Sequence, residues 1–332
     1  MMMTARSNEN GGDYTLSLDE DWCGKSVERL RVPETEAGER LDAVLARLLP
    51  QHSRSRLQGW IREGVLWVDG SVETSLKRRL KGGEALELAA EPETRLPILT
   101  PEAIPLDVVY EDRALLVIEK PAGLVVHPGN GNWQGTLMNG LLHHDPALAR
   151  VPRAGIVHRL DKDTSGLLVV ARTPEAQTDL VRQLQARGVR REYLAVAQGE
   201  ISRDGRVEAP IGRHPKDRIK MAVVQGGKPA VTHYQVLRRF AGATLLRCRL
   251  ETGRTHQIRV HLAHLGYPLL GDPVYGRNPR RTLPAFARQA LHAARLGLIH
   301  PESGAAMAWE APLPEDMRAL LATLEQQNAG DA

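Results

Sequence analysis

The stretch GIVHRLDKDTSGLLVVA, residues 155–171, joins a short polar turn to an apolar run. Arg159, Asp161 and Asp163 lie in the turn, and residues 167–171 have the length and composition of a buried strand. Because a neighbouring arginine stabilises the ionised form of a carboxylate, the turn favours a charged Asp161. The stretch therefore predicts a buried strand that presents a charged aspartate at its amino-terminal end.

The residues around Asp161 by themselves allow three interpretations. A calcium loop of the pattern D-x-[DN]-x-[DN]-G ends in a bidentate glutamate, whereas Arg172 occupies that position here. In phosphatases of the Asp-x-Asp-x-Thr type the aspartate pair follows an uninterrupted buried strand, whereas residues 158–160 interrupt such a strand here. The third interpretation is a structural ion pair that caps a turn. Motifs elsewhere in the chain have to decide between these and a catalytic aspartate.

The composition is that of an ordinary globular chain. Of the 332 residues, 42% are hydrophobic and 25% are charged, and this length predicts two domains. The net charge of +4 is a weak indication of a polyanionic partner. Cys23 and Cys248 are the two cysteines, so no disulfide framework is expected, and no apolar run has the length of a membrane span. We expect a soluble, cytoplasmic protein that binds no membrane.

The amino-terminal part predicts a leader and a small module. Residues 1–29 are acidic and lack apolar periodicity, which is typical of a disordered leader. In the module, residues 30–90, apolar residues recur at helical spacing over 41–49, and a second helix follows Ser53. A hairpin is predicted over 65–72, where Asp-Gly supplies the turn.

The order of these elements, with GERLDAVLARLLP followed by SRSRLQGWIREGVLWVDG, resembles the S4 RNA-binding domain. On charge alone, the basic residues of the module would be better explained as a solvated helix face. The resemblance implies instead that they contact RNA phosphates, which adds affinity without reading sequence. The residues expected to make these contacts are Arg54, Arg56, Arg62, Lys77, Arg78 and Arg79.

The rest of the chain predicts a linker and a large domain. Residues 91–105 are rich in proline and glutamate and form the linker. In the large domain, 106–325, short β-rich runs at 115–118 and 124–126 predict a hairpin, and Thr255 is expected to cap a helix. Strands outnumber helices and are joined by short turns, which predicts an α+β domain with a mostly antiparallel mixed sheet and flanking helices.

Three motifs of the large domain resemble those of the RluA-type pseudouridine synthases, which isomerise uridine in RNA. They are HRLDKDTSG at 158–166, REYLA at 191–195 and HQIR at 256–259. The resemblance implies the pseudouridine synthase fold and three catalytic residues, namely Asp161, Tyr193 and Arg259, of which the arginine pairs with the aspartate. Without the resemblance, Tyr193 is better explained as a core tyrosine. The isomerisation involves no redox change, so no cofactor is expected.

The same resemblance implies how the RNA is held. A uridine within structured RNA is inaccessible to a carboxylate, so the nucleotide has to flip into the pocket. His158, Arg159 and Arg254 are expected to contact the flipped nucleotide or its phosphates. The three histidines of 256–264 lack the spacing of a zinc site, and no metal is expected.

The segments SRSRLQGWI, VPRAGIVHRLDKDTSG and ETGRTHQIRVHLAH are most similar to family members that modify one hairpin loop of large-subunit rRNA. We therefore expect 23S rRNA, or a precursor of the large ribosomal subunit, as the RNA partner of a monomeric enzyme. A relative directed at other rRNA sites or at tRNA would share every catalytic residue. A non-catalytic S4 RNA-binding protein would not need Asp161, Tyr193 and Arg259 together.

Overall fold

The computed structural model describes residues 26–49, 54–90, 100–128, 133–217, 220–276 and 283–330. These residues fall into two compact units, one within 1–98 and the other within 99–332. Of the predicted leader, 1–29, residues 1–25 lie outside the described residues, whereas 26–29 lie in a strand and pair with residues 87–90, so the predicted disorder is wrong for them. Residues 91–99 of the predicted linker also lie outside the described residues, and the domain limits stay a prediction. Within the ranges above, no helix is both long and apolar enough to cross a bilayer.

The small unit packs two helices against an antiparallel sheet with the strand order β1-β4-β2-β3. The elements are β1 (Ser26–Arg31), α1 (Leu41–Leu48), α2 (Arg54–Arg62), β2 (Leu66–Val68), β3 (Ser71–Val72) and β4 (Ala85–Ala90). Asp69 and Gly70 have φ values of 50° and 76°, as a tight two-residue hairpin turn requires. The predicted helix pair and hairpin are therefore confirmed.

The large unit consists of eleven strands and four α-helices among its described residues. Its first half contains β5 (Asp107–Glu111), β6 (Leu115–Lys120), α3 (Leu137–His144), β7 (Ser165–Ala171), α4 (Pro174–Gln185), β8 (Arg190–Gln198) and β9 (Gly205–Glu208). Its second half contains β10 (Ile211–Arg213), β11 (Met221–Val223), β12 (Val231–Phe240), β13 (Ala243–Leu250), α5 (Gln257–His264), β14 (Leu291–Ile299), β15 (Ala306–Glu310) and α6 (Glu315–Gly330).

A nine-stranded sheet forms the centre of the large unit, with the order β5-β6-β7-β14-β8-β13-β12-β9 and β15 paired to β14. The pairing of β14 with β7 is parallel, and the other pairings in this sheet are antiparallel. Strands β10 and β11 form a separate antiparallel hairpin. The predicted α+β class with a mostly antiparallel mixed sheet is confirmed.

Strand β7 carries the apolar half of the opening stretch, and all seven of its residues are buried. Leu168 and Val170 belong to the apolar core on one face of the strand, whereas Leu167 and Val169 belong to the core on the other. Because a strand covered on both faces needs no polar alternation, its sequence is a continuous apolar run. The loop that contains Asp161 therefore ends in a strand that is anchored in the core.

Two local predictions were wrong. Residues 115–118 do not form a hairpin with 124–126: they lie in β6, which pairs with β5 on one edge and β7 on the other. The apolar run at 124–126 instead makes a single bridge, from Val125 to Thr136. Thr255 does not cap α5, because the helix begins after His256, whose φ of 56° lies in the left-handed region and whose side chain makes no cap hydrogen bond.

Candidate active site

The loop before β7 is held in place through its backbone. The carbonyl oxygen of Lys162 accepts hydrogen bonds from Lys120 Nζ at 2.9 Å and from the amide of Gly123 at 3.0 Å. The amide of Thr164 donates to the carbonyl oxygen of Asp161 at 3.0 Å. Asp161 thus lies in a braced turn, and its side chain keeps 17% exposure.

Arg259, in the first turn of α5, is placed between two carboxylates. Its Nη1 donates to Asp161 Oδ2 at 3.0 Å, while Nε and Nη2 donate to the two oxygens of Asp272 at 2.8 and 2.9 Å. Burial alone would lower the pKa of Arg259, but the hydrogen bonds and charge of Asp272, then those of Asp161, raise it above its ordinary value. Arg259 is therefore a permanent cation whose fork is fixed by Asp272 and whose remaining edge faces Asp161.

Asp272 is itself held by the chain that follows it. Its Oδ1 accepts the amide hydrogen bonds of Val274 and Tyr275, each at 2.9 Å. Burial would raise the pKa of Asp272, but the hydrogen bond and charge of Arg259 outweigh burial and lower it. Asp272 is accordingly ionised at neutral pH, and its two hydrogen bonds hold the Arg259 guanidinium in place.

His256 approaches Asp161 from a second direction. Its Nε2 lies 3.8 Å from Asp161 Oδ1, and its Nδ1 lies 2.8 Å from the hydroxyl of Tyr275. That hydroxyl also accepts the amide hydrogen bond of Met221 at 2.9 Å, which leaves its proton available to His256. Burial lowers the pKa of His256, and the charge of Asp161 opposes this only in part. The ring is therefore neutral at pH 7 and presents an N–H to the aspartate.

Asp161, His256 and Arg259 open onto one cavity of about 660 Å³. Asp161, Tyr193 and Arg259 all line it, so the structure brings the three predicted catalytic side chains together. Tyr193 lies on β8 with 7% exposure, and burial is the main cause that raises its pKa, to which the charge of Asp161 adds. The phenol is consequently protonated at neutral pH, and its side chain forms part of the cavity wall.

The three residues predicted to hold the flipped nucleotide also line this cavity. Arg159 is exposed, as a residue that reaches into RNA needs to be. Arg254 donates from Nε to the carbonyl oxygen of Pro229 at 3.0 Å. His158 accepts the amide hydrogen bond of Val169 at Nε2, 3.2 Å away, and burial lowers its pKa to about 3, so it is a neutral, anchored ring.

In the small unit, some of the side chains predicted to contact RNA also make hydrogen bonds within the protein. Arg54 donates to Asp42 at 2.8 Å, Arg78 donates to Glu73 at 2.8 Å, and Arg79 donates to the carbonyl oxygen of Gly38 at 2.6 Å. Arg62 and Lys77 are exposed, whereas the side chain of Arg56 lies outside what the structure describes. All six therefore remain predicted RNA contacts.

Sequence reasoning missed Asp272, Tyr275, Arg191 and the role of His256. A signal was available for two of them, because GDPVYG at 271–276 sets an aspartate and a tyrosine around a tight turn. Among the described residues, no group of three or more histidines, cysteines and carboxylates could hold a metal ion. His261 instead bonds Thr232 and the carbonyl oxygen of Ala209 within the core.

Comparisons with known proteins match both units of the chain. The family model for RNA pseudouridylate synthase matches residues 114–264, and that for the S4 domain matches residues 39–86. A ribosomal large subunit pseudouridine synthase D of Nitrosomonas europaea is 56% identical over 330 residues, which cover 97% of this chain and 96% of that protein. Its namesake from Pseudomonas aeruginosa is 56% identical over 307 residues, covering 89% and 95%. The solved structure of human RNA pseudouridylate synthase domain containing 1 is 29% identical and superposes with a TM-score of 0.52, covering 64% of this chain and 85% of that one.

Proposed function

Because the chain belongs to the RNA pseudouridylate synthase family and carries an S4 domain, we propose that it converts uridine to pseudouridine in 23S rRNA. The relatives that support this target carry the name ribosomal large subunit pseudouridine synthase D and match almost the full chain. The observation that carries the chemistry is the 3.0 Å contact of Arg259 Nη1 with Asp161 Oδ2 in a cavity that Tyr193 also lines.

The proposed reaction breaks the N1–C1′ bond, turns the uracil and joins C5 to C1′. The carboxylate of Asp161 attacks C1′ in one route and removes the C2′ proton in the other, and both routes need a charged and fixed carboxylate. Arg259 meets that need, because a cation held at hydrogen-bond distance stabilises the negative charge without reorganising. The cycle is neutral in protons: one leaves C5 and one arrives at N1.

Tyr193 is proposed to stack on the uracil. Its raised pKa argues against a phenolate that removes the C5 proton directly, because the hydroxyl stays protonated at neutral pH. The uridine is proposed to enter the cavity by flipping out of the RNA, and Arg159, an exposed residue that lines the cavity, to fill the gap it leaves. His158 and Arg254 line the same cavity and are proposed to complete the contacts to the nucleotide.

The S4 unit is proposed to hold the RNA by its phosphates through Arg54, Arg56, Arg62, Lys77, Arg78 and Arg79. We further propose that the enzyme works as a cytoplasmic monomer on 23S rRNA or on a precursor of the large subunit. Other rRNA sites and tRNA are the alternative targets, since the same residues would modify a uridine in either RNA.

The test is to incubate the purified protein with unmodified large-subunit rRNA, and separately with tRNA, without added cofactor. New pseudouridines are mapped by primer extension after carbodiimide treatment, with Asp161→Asn in parallel. We expect modified positions clustered in one rRNA loop, abolished in Asp161→Asn, while that variant still binds RNA. Modification of tRNA alone would redirect the target, and substantial activity of Asp161→Asn would remove the aspartate from its role.

A further inference from the structure

Arg191, on strand β8, is a further arginine that lines the cavity. It precedes Tyr193 by two positions on β8, so both side chains project from the same face of the strand. Both line the cavity, and Arg191 retains only 7% of its accessible surface. It is thus nearly as buried as Arg259, which lines the same cavity.

Arg191 combines burial with the lack of a carboxylate partner, whereas Arg153 and Arg159, which also line the cavity, are exposed to solvent. The Nε of Arg191 has no hydrogen-bond partner, and no carboxylate among the described residues forms an ion pair with it. By contrast, Arg187 pairs with Glu251, and Arg259 holds two carboxylates. A buried charge without a partner is costly, which makes Arg191 a candidate for binding a ligand.

The surroundings fix the guanidinium without neutralising it. Gly253 lies against it so closely that a Cβ at that position would be 2.7 Å from Nη1. Burial, followed by the charge of Arg191, lowers the pKa of the neighbouring His158 to about 3, so this ring adds no charge of its own. The guanidinium is therefore confined by Gly253, and His158 adds no competing charge beside it.

We propose that Arg191 binds a phosphate oxygen of the RNA strand beside the flipped uridine. The inference rests on the proposed function, since it assumes an RNA nucleotide in the cavity. A uracil carbonyl is neutral and would leave the buried charge uncompensated, whereas phosphate is the anion that every nucleotide brings. The planar fork of arginine matches two phosphate oxygens, which fixes the orientation of the sugar as well as its position.

The experiment replaces one phosphate at a time, around the target uridine, by a neutral methylphosphonate in a synthetic rRNA hairpin. Binding of each RNA is measured with the wild type and with Arg191→Gln. We expect the wild type to lose about ten- to hundredfold in affinity at one linkage, as for a charge-assisted hydrogen bond. Arg191→Gln should bind the unsubstituted RNA more weakly by a similar factor and show no further loss at that linkage.

Two variants control for charge and folding. Arg113→Gln removes an equal charge from an exposed arginine that pairs with Glu302 at 3.2 Å, and it should keep the linkage-specific loss. Arg191→Lys keeps the charge without the fork, so it should retain a smaller loss at the same linkage even where Arg191→Gln folds poorly. Thermal unfolding of each variant reports its folded fraction.

The possible failures are distinguishable. If Arg191→Gln loses affinity at the same linkage and by the same factor as the wild type, Arg191 does not bind that phosphate and the inference is overturned. Pseudouridine formation by the wild type on the unsubstituted hairpin and on full-length RNA is scored separately. Its absence from every RNA would contradict the proposed function, whatever the linkage map shows.

Discussion

At the scale of single residues, Asp272 determines how Arg259 meets Asp161. It occupies two of the three guanidinium nitrogens at 2.8 and 2.9 Å and leaves Nη1 for the carboxylate of Asp161. Its own orientation is set by the amides of Val274 and Tyr275. The carboxylate of Asp161 is therefore held by residues that follow it in the chain by roughly a hundred positions.

Asp272→Asn should lower the rate constant of uridine isomerisation by about ten- to hundredfold, because a misplaced guanidinium no longer fixes the aspartate. The measurement is a single-turnover reaction with enzyme in excess, in which a misfolded fraction reduces the amplitude and a misplaced group reduces the rate constant. Asp145→Asn is the matched control, since Asp145 accepts two hydrogen bonds from Arg172 at 3.1 and 3.0 Å outside the cavity. An unchanged rate constant for Asp272→Asn would contradict a positioning role.

The lowered pKa of Lys120 should make the free energy of unfolding depend on pH. Its fully buried ammonium donates to the carbonyl oxygens of Pro121, Leu124 and Lys162, and burial lowers its pKa to about 7. Between pH 7 and about 10 the unfolded chain keeps this proton while the folded chain releases it, so stability from this group rises with pH. The difference in unfolding free energy between the wild type and Lys120→Met should change steadily from pH 7 to 9 in urea titrations, in favour of the wild type. A constant difference would mean that Lys120 stays charged throughout.

Candidate residues that lie in recognisable motifs could be chosen from the sequence. Residues that matter because of their tertiary contacts could not. Asp161, Tyr193 and Arg259 could be chosen from short motifs, and the structure places them around one cavity. Arg191 lies within one of the same motifs, but its missing partner depends on which strand and loop cover it. Asp272 could not be paired with Arg259 from the sequence, because the pairing depends on how the chain after α5 folds back onto the helix.

At the scale of elements, the turn that enters the cavity before Ile156 is unusual. Arg153, Ala154 and Gly155 have consecutive left-handed φ values of 54°, 49° and 75°. Two of these are not glycines, so the backbone carries strain that the packing of the unit has to offset. A Cβ on Gly155 would overlap the carbonyl oxygen of Ala171 at the end of β7.

Gly155→Ala should therefore destabilise the protein by about 3 kcal/mol or more, since it adds a backbone clash to the left-handed strain. Gly304→Ala is the matched control, because Gly304 also has a positive φ of 69° but a Cβ added there would have no atom within 4 Å. It should cost only about 1 kcal/mol. Chemical denaturation of both variants gives the comparison, and equal losses would show that strain alone accounts for the effect.

Elements whose type is set by their own residues could be predicted from the sequence pattern. The helix α1 and the buried strand β7 follow from spacing and apolar length alone. The same reasoning failed for residues 115–126, because β6 pairs with strands from two other parts of the chain and not with the adjacent apolar run. Whether two short runs pair with each other is decided by the rest of the sheet.

At the scale of the whole molecule, binding and chemistry are assigned to different compact units. The basic cluster of the small unit comprises Lys77, Arg78 and Arg79, of which Lys77 is exposed and the two arginines also contact Glu73 and Gly38. The three proposed catalytic residues, Asp161, Tyr193 and Arg259, all belong to the large unit. Variants of the cluster should therefore affect affinity and not the rate of the bound complex.

Replacing Lys77, Arg78 and Arg79 together by alanine should weaken RNA binding and reduce the salt dependence of affinity by up to about two units of slope. The rate constant at saturating RNA should match the wild type. Binding titrations at several salt concentrations, with single-turnover rates at saturation, give both values. An unchanged slope would mean that the cluster is simply a solvated face.

Strand β14 is the last long strand of the chain, yet it lies between β7 and β8 in the middle of the nine-stranded sheet. A nascent chain that ends before residue 291 therefore holds β6–β7 and β8–β13 as two partial sheets with unpaired inner edges. Such edges recruit other strands and promote aggregation. We therefore expect the cavity to be complete only after β14 has been synthesised, and a chain terminated before β14 to be prone to aggregation.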